Sequence, residues 1–406
     1  MKPEPTEEKG GDVSFVPTPD SPEIGRRCPF DPPDAYSSLR DAGELGRLRF
    51  RSGREAWLLT SHDDVAAMLT DQRFSSAANM LRDVVTDGDT PGWLFGMDGP
   101  EHAHYRRFLT GGLAMRAMRR MEPRIERIVA QRLAAIARGG APADLFAQFA
   151  WPVPLLVMRD VLGVPEQEWE EFEKTLAAAD EPGASREARR ASFRAAWEYL
   201  LGLIRLRRRS PGDDLISDLF RERPAAGGAI EPEEGASLIL SLRLGGHAPV
   251  AHVLAMSIFV LLADDRRLDP AGGHKQLDAA VDELLRYIPS NNLGVVRTAA
   301  EEVALTGATI HAGDLVCANL PVANRDPARF GHPDTLDLER GFSPHLAFGH
   351  GPHRCPGRNL ARLELRVALT ALFREFPTLR LAVEPGDVVM ENSSTTYSVT
   401  ELPVAW

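Results

Sequence analysis

The ten residues Phe348-Gly-His-Gly-Pro-His-Arg-Cys-Pro-Gly357 constrain this chain more than any other segment. Gly349, Gly351 and Gly357, interleaved with Pro352 and Pro356, rule out a regular helix or strand and supply positive φ and close backbone approach, as beside a flat cofactor. Directly afterwards Leu360, Leu363, Val367 and Leu369 suit a helix. Cys355 therefore stands just ahead of a helix N-terminus, where unpaired N–H groups and the helix dipole favour a thiolate over a thiol and hydrogen bonds to sulfur tune a bound metal. The competing reading of a lone cysteine in this setting is an ordinary buried residue in a Gly/Pro turn.

The rest of the chain narrows the setting. Its 406 residues suit two average domains or one large enzyme domain built round a cofactor. Hydrophobic residues make up 43% and charged residues 26%, ordinary values for a folded protein with a sizeable core. A net charge of -11 argues against nucleic acid, whose binding depends on neutralising phosphates with Lys and Arg. Cys28, Cys317 and Cys355 are too few and too scattered for a disulfide framework, which fits a reducing cytoplasm. No signal-peptide core is visible and no stretch is expected to span a membrane, so a cytoplasmic, membrane-free protein, taken as a monomer, is the expectation.

Residues 1 to 25 read as a flexible lead, broken by Pro3, Pro5, Pro17, Pro19 and Pro22. Alternation between Arg47 and Thr60 around Ser52-Gly53 predicts a hairpin, and Ser61 followed by Asp63 and Asp64 predicts a capped helix. Helical patterns follow over Glu122 to Arg138, Arg186 to Arg209 and, as one long element of about 45 Å, Glu233 to Ala263. Strand signals return between Val303 and Leu320, and Thr395 to Val399 and Leu402 to Ala405 flank a turn near the end.

The string Phe348, Gly349, Gly351, His353, Cys355 and Gly357 resembles, position by position, the haem-binding loop of the cytochrome P450 family. The likeness runs from about Cys28 to Trp406 and implies one mainly α domain over residues 26 to 406 with a small β-rich subdomain, holding haem b with Cys355 as axial ligand of the iron. Glu283 and Arg286 in Val281-Asp-Glu-Leu-Leu-Arg286 are similar to the family's buried Glu-x-x-Arg pair, with Arg340 as the further arginine that supports the loop. Ala323-Asn-Arg-Asp-Pro327 and Phe330 also look like the family's. His102, Arg106, Arg297 and His353 stand where the family places partners of the two haem propionates, and buried carboxylates need such partners.

On the distal side, Ser241-Leu-Arg-Leu-Gly-Gly-His-Ala-Pro-Val250 aligns with the family's small-Gly-x-acid-Thr signature and departs from it. Gly245 and Gly246 keep the small residues that let a helix approach the haem, but Ala248 replaces the acid and Pro249 the alcohol that relay protons to dioxygen. Pro249 also frees the carbonyl of Gly245, predicting a kink and a place for water. Helical spacing puts Ser241, Leu244, Gly245 and Ala248 on one face, with Arg243 and His247 paired on the next. His247 as a distal acid is the minor reading and Ser241 the better candidate to face the pocket.

The resemblance also implies pocket walls at Leu293, Val295, Ser394, Thr395, the neighbouring Asn292, Gly294 and Val296, and the loop from Met80 to Leu94, within which Trp93 could pack beside the cofactor. Arg107, Arg358, Arg362 and Arg366 would gather near the thiolate and dock an acidic electron donor such as a ferredoxin, served by its own reductase. The implied activity is a bacterial monooxygenase of secondary metabolism acting on a small organic molecule, with water or substrate assisting oxygen activation. Two alternatives stand beside it: peroxide-driven oxidation, dehydration, rearrangement or nitrogen-group transfer, and a haem-binding protein without catalysis.

Overall fold

The computed structural model describes residues 15–16, 25–50, 53–77, 91–180, 184–220, 230–289, 293–341, 343–392 and 396–406. Most of the lead at 1 to 25 lies outside the described residues, but Phe15–Val16 pair in parallel with Arg47 and Leu48. The lead is therefore not structureless throughout; Phe15-Val16 is its apolar pair between prolines and adds an edge to the sheet.

That sheet has six strands, in spatial order Phe15–Val16, Gly46–Arg49, Glu55–Leu59, Leu315–Ala318, Val295–Ala299 and Phe74–Ser75. The expected hairpin is present, with Gly46 opposite Leu58 and Arg49 opposite Glu55, and Gly53 at φ 80 turns it. Ser61 accepts a hydrogen bond from the Asp64 N–H and starts the His62–Thr70 helix as predicted. Because Glu55–Leu59 runs parallel to Leu315–Ala318, the two ends of the chain share one sheet. The closing strands do not pair with each other: Tyr397–Val399 joins Met390–Asn392, whereas Pro403–Ala405 joins Arg380–Leu381 and Ala143–Asp144.

Helices make up the larger body. Arg186–Arg209 has the expected bounds, capped by Ser185. The helix expected from Glu122 begins instead at Met115 and continues to Gly139 through Pro123, because Met118, Met121, Ile125 and Ile128 keep one buried face in register across the proline. The long element Pro232–Ala263 is apolar and long enough to cross a membrane, contrary to expectation, yet 67% of its most apolar window is buried inside the protein. Residues such as Ile258, Phe259 and Val260 are fully enclosed, each contributing about 1.5–3 kcal/mol by leaving water.

This element is also two helices rather than one. Pro232–Gly246 ends and Ala248–Ala263 begins at His247, whose backbone (φ -104, ψ -80) is not helical. The His247 carbonyl restarts the ladder by accepting from the Val250 and Ala251 N–H groups. Pro249 thus sits at the second position of a new helix, where its missing N–H costs nothing, so the expected kink becomes a full interruption.

Candidate functional site

The loop ahead of the Arg358–Glu375 helix is shaped by its own backbone. Gly349 donates to the Leu346 carbonyl (2.7 Å), Arg354 to Gly351 (3.1 Å) and Cys355 to Phe348 (2.8 Å). Gly349 and Gly351 take φ 69 and 68. A Cβ on Gly351 would lie 2.7 Å from the Leu69 carbonyl oxygen, so the tight seat of the loop on the His62–Thr70 helix requires glycine. Burial pushes the Cys355 thiol up; the Gly357 N–H and the charges of Arg106 and Arg358 act against that shift and favour the thiolate. Arg106 donates to the Arg354 carbonyl, and Arg358 to that of Cys355 (3.3 Å).

His102, Arg106, Arg297 and His353 come together around this loop. The His102 and His353 rings stack with centroids 4.0 Å apart. Burial first, then the positive charges of His353 and Arg106, lower the His102 pKa to about 4. Arg297 lies on the same face of its strand as Val295, is largely withdrawn from water, and makes its one described hydrogen bond to the neighbouring Val296 carbonyl (3.2 Å). Trp93 is 3% exposed, and its indole N–H meets no acceptor among the described residues.

Asp98 ties this group together and was not singled out in the sequence. Its carboxylate accepts from Ser75 Oγ (2.7 Å) and the Ser76 N–H (2.8 Å) and faces His353 Nε2 at 3.2 Å. Burial opposes its ionisation, but the bonds from His353, Ser75 and Ser76 outweigh it and hold the carboxyl well below its usual range. The available signal was its place at the N-cap of the Gly99–Gly112 helix; the carboxylate caps no helical N–H and is used across the site instead.

The end of the Pro232–Gly246 helix approaches Phe95, which lies three residues before Asp98. A Cβ on Gly245 would stand 3.3 Å from Phe95 Cζ, whereas one on Gly246 would strike Met158 Sδ at 2.7 Å. The glycines thus serve different neighbours, and only Gly245 faces the Phe95 side. Around the break at His247, Leu244, Gly246 and Ala248 are half-buried and Gly245 and Pro249 exposed, whereas Ser241, Arg243, His247 and Val250 are buried. Ser241 is 1% exposed and donates to the Ser237 carbonyl of its own helix (2.9 Å), so its hydroxyl does not line the opening at Gly245.

Arg243 and His247 are not partners. Arg243 makes a two-pronged ion pair with Glu173 on the Glu166–Asp180 helix. His247 is buried, bonds through Nε2 to the Trp151 carbonyl (3.1 Å) and packs edge-on against the Trp151 ring. Burial, reinforced by Arg243, lowers its pKa to about 3, so it is neutral near pH 7. Among the pocket candidates, Leu293 is buried with Tyr36, Leu58 and Cys317 in the sheet core rather than in the site; Asn292, Ser394, Thr395 and residues 80 to 90 lie outside the described residues.

A sequence profile of the cytochrome P450 family matches residues 275–400. The chain is 39% identical to "Cytochrome P450 105C1" of Streptomyces sp over 378 residues, covering 93% of this chain and 96% of that protein. It is 38% identical to "Nocardicin C N-oxygenase" of Nocardia uniformis subsp. tsuyamanensis, covering 94% and 98%. The chain belongs to the cytochrome P450 family. The Streptomyces peucetius CYP105P2 structure, complexed with a biphenyl compound, superposes with a TM-score of 0.85 at 35% identity, over 97% of this chain and 99% of that one. This P450 is thus a haem enzyme with a mainly α fold, and its relatives act in bacterial secondary metabolism.

The residues present fit haem. A withdrawn guanidinium on Arg297, an indole N–H on Trp93 without an acceptor among the described residues, two stacked imidazoles and a cysteine on a glycine cradle are what a flat dianionic cofactor would satisfy.

The ion triad expected beneath the loop is also in place. Glu283 meets Arg286 through two bonds of 2.8 Å and Arg340 Nε at 3.0 Å, with Glu283 and Arg286 each 1% exposed. The proximal arginines do not act as one patch. Arg362 is paired with Asp282, and Arg366 with Glu122 and Asp278. Arg107 remains exposed and Arg358 half-exposed.

Sequence reasoning passed over Glu364, although a glutamate inside the apolar stripe of the Arg358–Glu375 helix was a visible anomaly. It is 1% exposed, and neither carboxyl oxygen has a partner among the described residues. Burial raises its pKa well above the usual range. Such a group disfavours folding increasingly as pH climbs above the unfolded carboxyl value of about 4.3, because only the unfolded chain then releases the proton. Glu364→Gln is therefore expected to be more stable than wild type at pH 8, with the difference shrinking to nothing near pH 4. Urea titrations at several pH values read this directly, and a difference constant with pH would show that Glu364 is ionised in the folded state.

Proposed function

We propose that residues 26–406 act as one haem-thiolate domain in the cytoplasm, with Cys355 ligating the iron and His102, Arg106, Arg297 and His353 holding the propionates. In this reading the enzyme is a monooxygenase of a small organic molecule. One observation carries the finer reading: among the described residues, the distal opening at Leu244, Gly245 and Ala248 carries no acid and no hydroxyl, while Ser241 and His247 are both committed to backbone carbonyls. Thiolate-bound haem supplies oxygen activation for insertion into a C–H bond.

The chain's own part is to position and exclude. Gly245 and Phe95 narrow the space above the cofactor. The Gly245 carbonyl, in the last turn of the Pro232–Gly246 helix where the ladder has stopped, offers an acceptor for a water or substrate hydroxyl that delivers the proton. Electrons enter from an acidic ferredoxin, itself reduced by its reductase. Its docking place is a groove of about 280 Å³ lined by Leu109, Leu113, Met115, Pro356 and Arg358, beside exposed Arg107, Arg116 and Arg119.

The lack of acid and alcohol also favours a second reading, in which peroxide or a pre-oxidised substrate replaces dioxygen and reductase. Turnover with ferredoxin, reductase and oxygen, compared with peroxide alone and with an anaerobic mixture, separates them. The expected result is oxygen-dependent product that is absent anaerobically; product formed equally without oxygen or reductase overturns the monooxygenase reading. Ala248→Glu combined with Pro249→Thr should change the fraction of electrons recovered in product by about tenfold, a modest share of what general acids supply. Unchanged coupling would show that the altered pair is immaterial.

A further inference from the structure

We propose that Asp282 and Arg362 are a positioning pair for the Cys355 loop, acting across the Phe348 ring so that the two partners bias haem reduction in opposite directions. The proposal rests on the reading of Cys355 as haem ligand and assigns a role to two residues that bind neither haem nor substrate.

The path is short and continuous. The Arg362 guanidinium lies 5.0 Å from the centroid of the Phe348 ring. The Phe348 carbonyl accepts the Cys355 N–H at 2.8 Å. On its other side Arg362 Nε donates to Asp282. Asp282 is fixed from below, being the residue before Glu283 in the buried triad, and His345 Nε2 stands 3.6 Å from the same carboxyl oxygen. The pair's side chains are 26% and 25% exposed, so solvent screens them only in part. Burial opposes ionisation of Asp282, but His345 and Arg362 overcome it and keep its pKa low. Arg354, the residue before Cys355, also feels the Arg362 charge.

A cation fixed beside the loop stabilises the state with one more electron, and the anion behind it has the opposite effect. A donor-docking role for Arg362 would alter binding of the donor and leave the reduction equilibrium alone. A purely structural role would make both single replacements damage the loop in the same sense.

The experiment uses the haem-loaded full chain, equilibrated without oxygen against a redox dye, together with the reduced carbon monoxide spectrum of each form. Arg362→Gln is expected to shift the equilibrium toward the oxidised form by about threefold, and Asp282→Asn toward the reduced form by a similar factor. Arg362→Lys should restore most of the wild-type value, and the double replacement should return near it, all with the red-shifted band retained. Shifts in the same direction, or no shift in either single variant, overturn the proposal while leaving the Cys355 reading intact. A wild type without the red-shifted band removes both.

Discussion

Cys355→Ala is expected to remove the red-shifted Soret band of the reduced carbon monoxide complex and to lower turnover by at least about a hundredfold, since on the proposed reading Cys355 would supply the thiolate that a haem-thiolate site depends on. The substitution is small, and the loop around it is held by backbone bonds at Gly349, Arg354 and Cys355 that alanine keeps. On the proposed assignment of His102, Arg106, Arg297 and His353 to the propionates, haem should therefore still bind, weakly. That combination of retained haem with lost band distinguishes loss of the ligand from collapse of the site. A variant that keeps the red-shifted band would sink the assignment of Cys355.

The second large effect concerns stability. Arg286 is fully enclosed and makes two bonds to Glu283 and one each to the carbonyls of Asn324 (2.9 Å), Pro333 (2.8 Å) and Thr335 (3.2 Å). Arg286→Leu strands the Glu283 carboxylate in the interior with, among the described residues, only Arg340 and the Asp337 N–H to serve it. Removing one member of a buried pair costs about 3–5 kcal/mol, so denaturant unfolding should move by that amount and haem content on purification should fall. Arg340→Leu should cost less, since its side chain is 14% exposed and water can replace it. A loss below about 1 kcal/mol for Arg286→Leu would mean that Glu283 takes up a proton instead.

Much of this architecture was legible because local chemistry and tertiary structure agree. The Ser61 and Ser185 caps, the hairpin at Gly53 and the glycine loop at Cys355 each depend on neighbours in sequence, and each stands where the residues placed it. What could not be read depends on partners far away. The Pro403–Ala405 strand finds Ala143–Asp144, Arg243 finds Glu173 seventy residues earlier, and Leu293 turns into the sheet core because Cys317 and Asn319 claim its carbonyl. Spacing on an ideal helix also turned Ser241 to the pocket and paired His247 with Arg243, whereas Ser241 donates to the Ser237 carbonyl of its own helix and His247, at the break in the ladder, reaches Trp151. Asp98 was missed because it looked like a routine helix cap, and Glu364 because its helix was read only for its apolar positions, which it interrupts.

The interruption at His247 has a consequence for how such an element tolerates change. In a continuous helix each added or deleted residue turns everything beyond it by about 100°, so a lengthened Pro232–Gly246 segment would swing Leu254, Ile258 and Leu261 out of their seats in the core. With a non-helical residue between the segments, that rotation is absorbed at one backbone position. An insertion beside His247 is taken up there while Leu238 and Ile239 on one side and Leu254 and Ile258 on the other keep their buried seats, so this element can vary in length at one point without remaking the protein's interior.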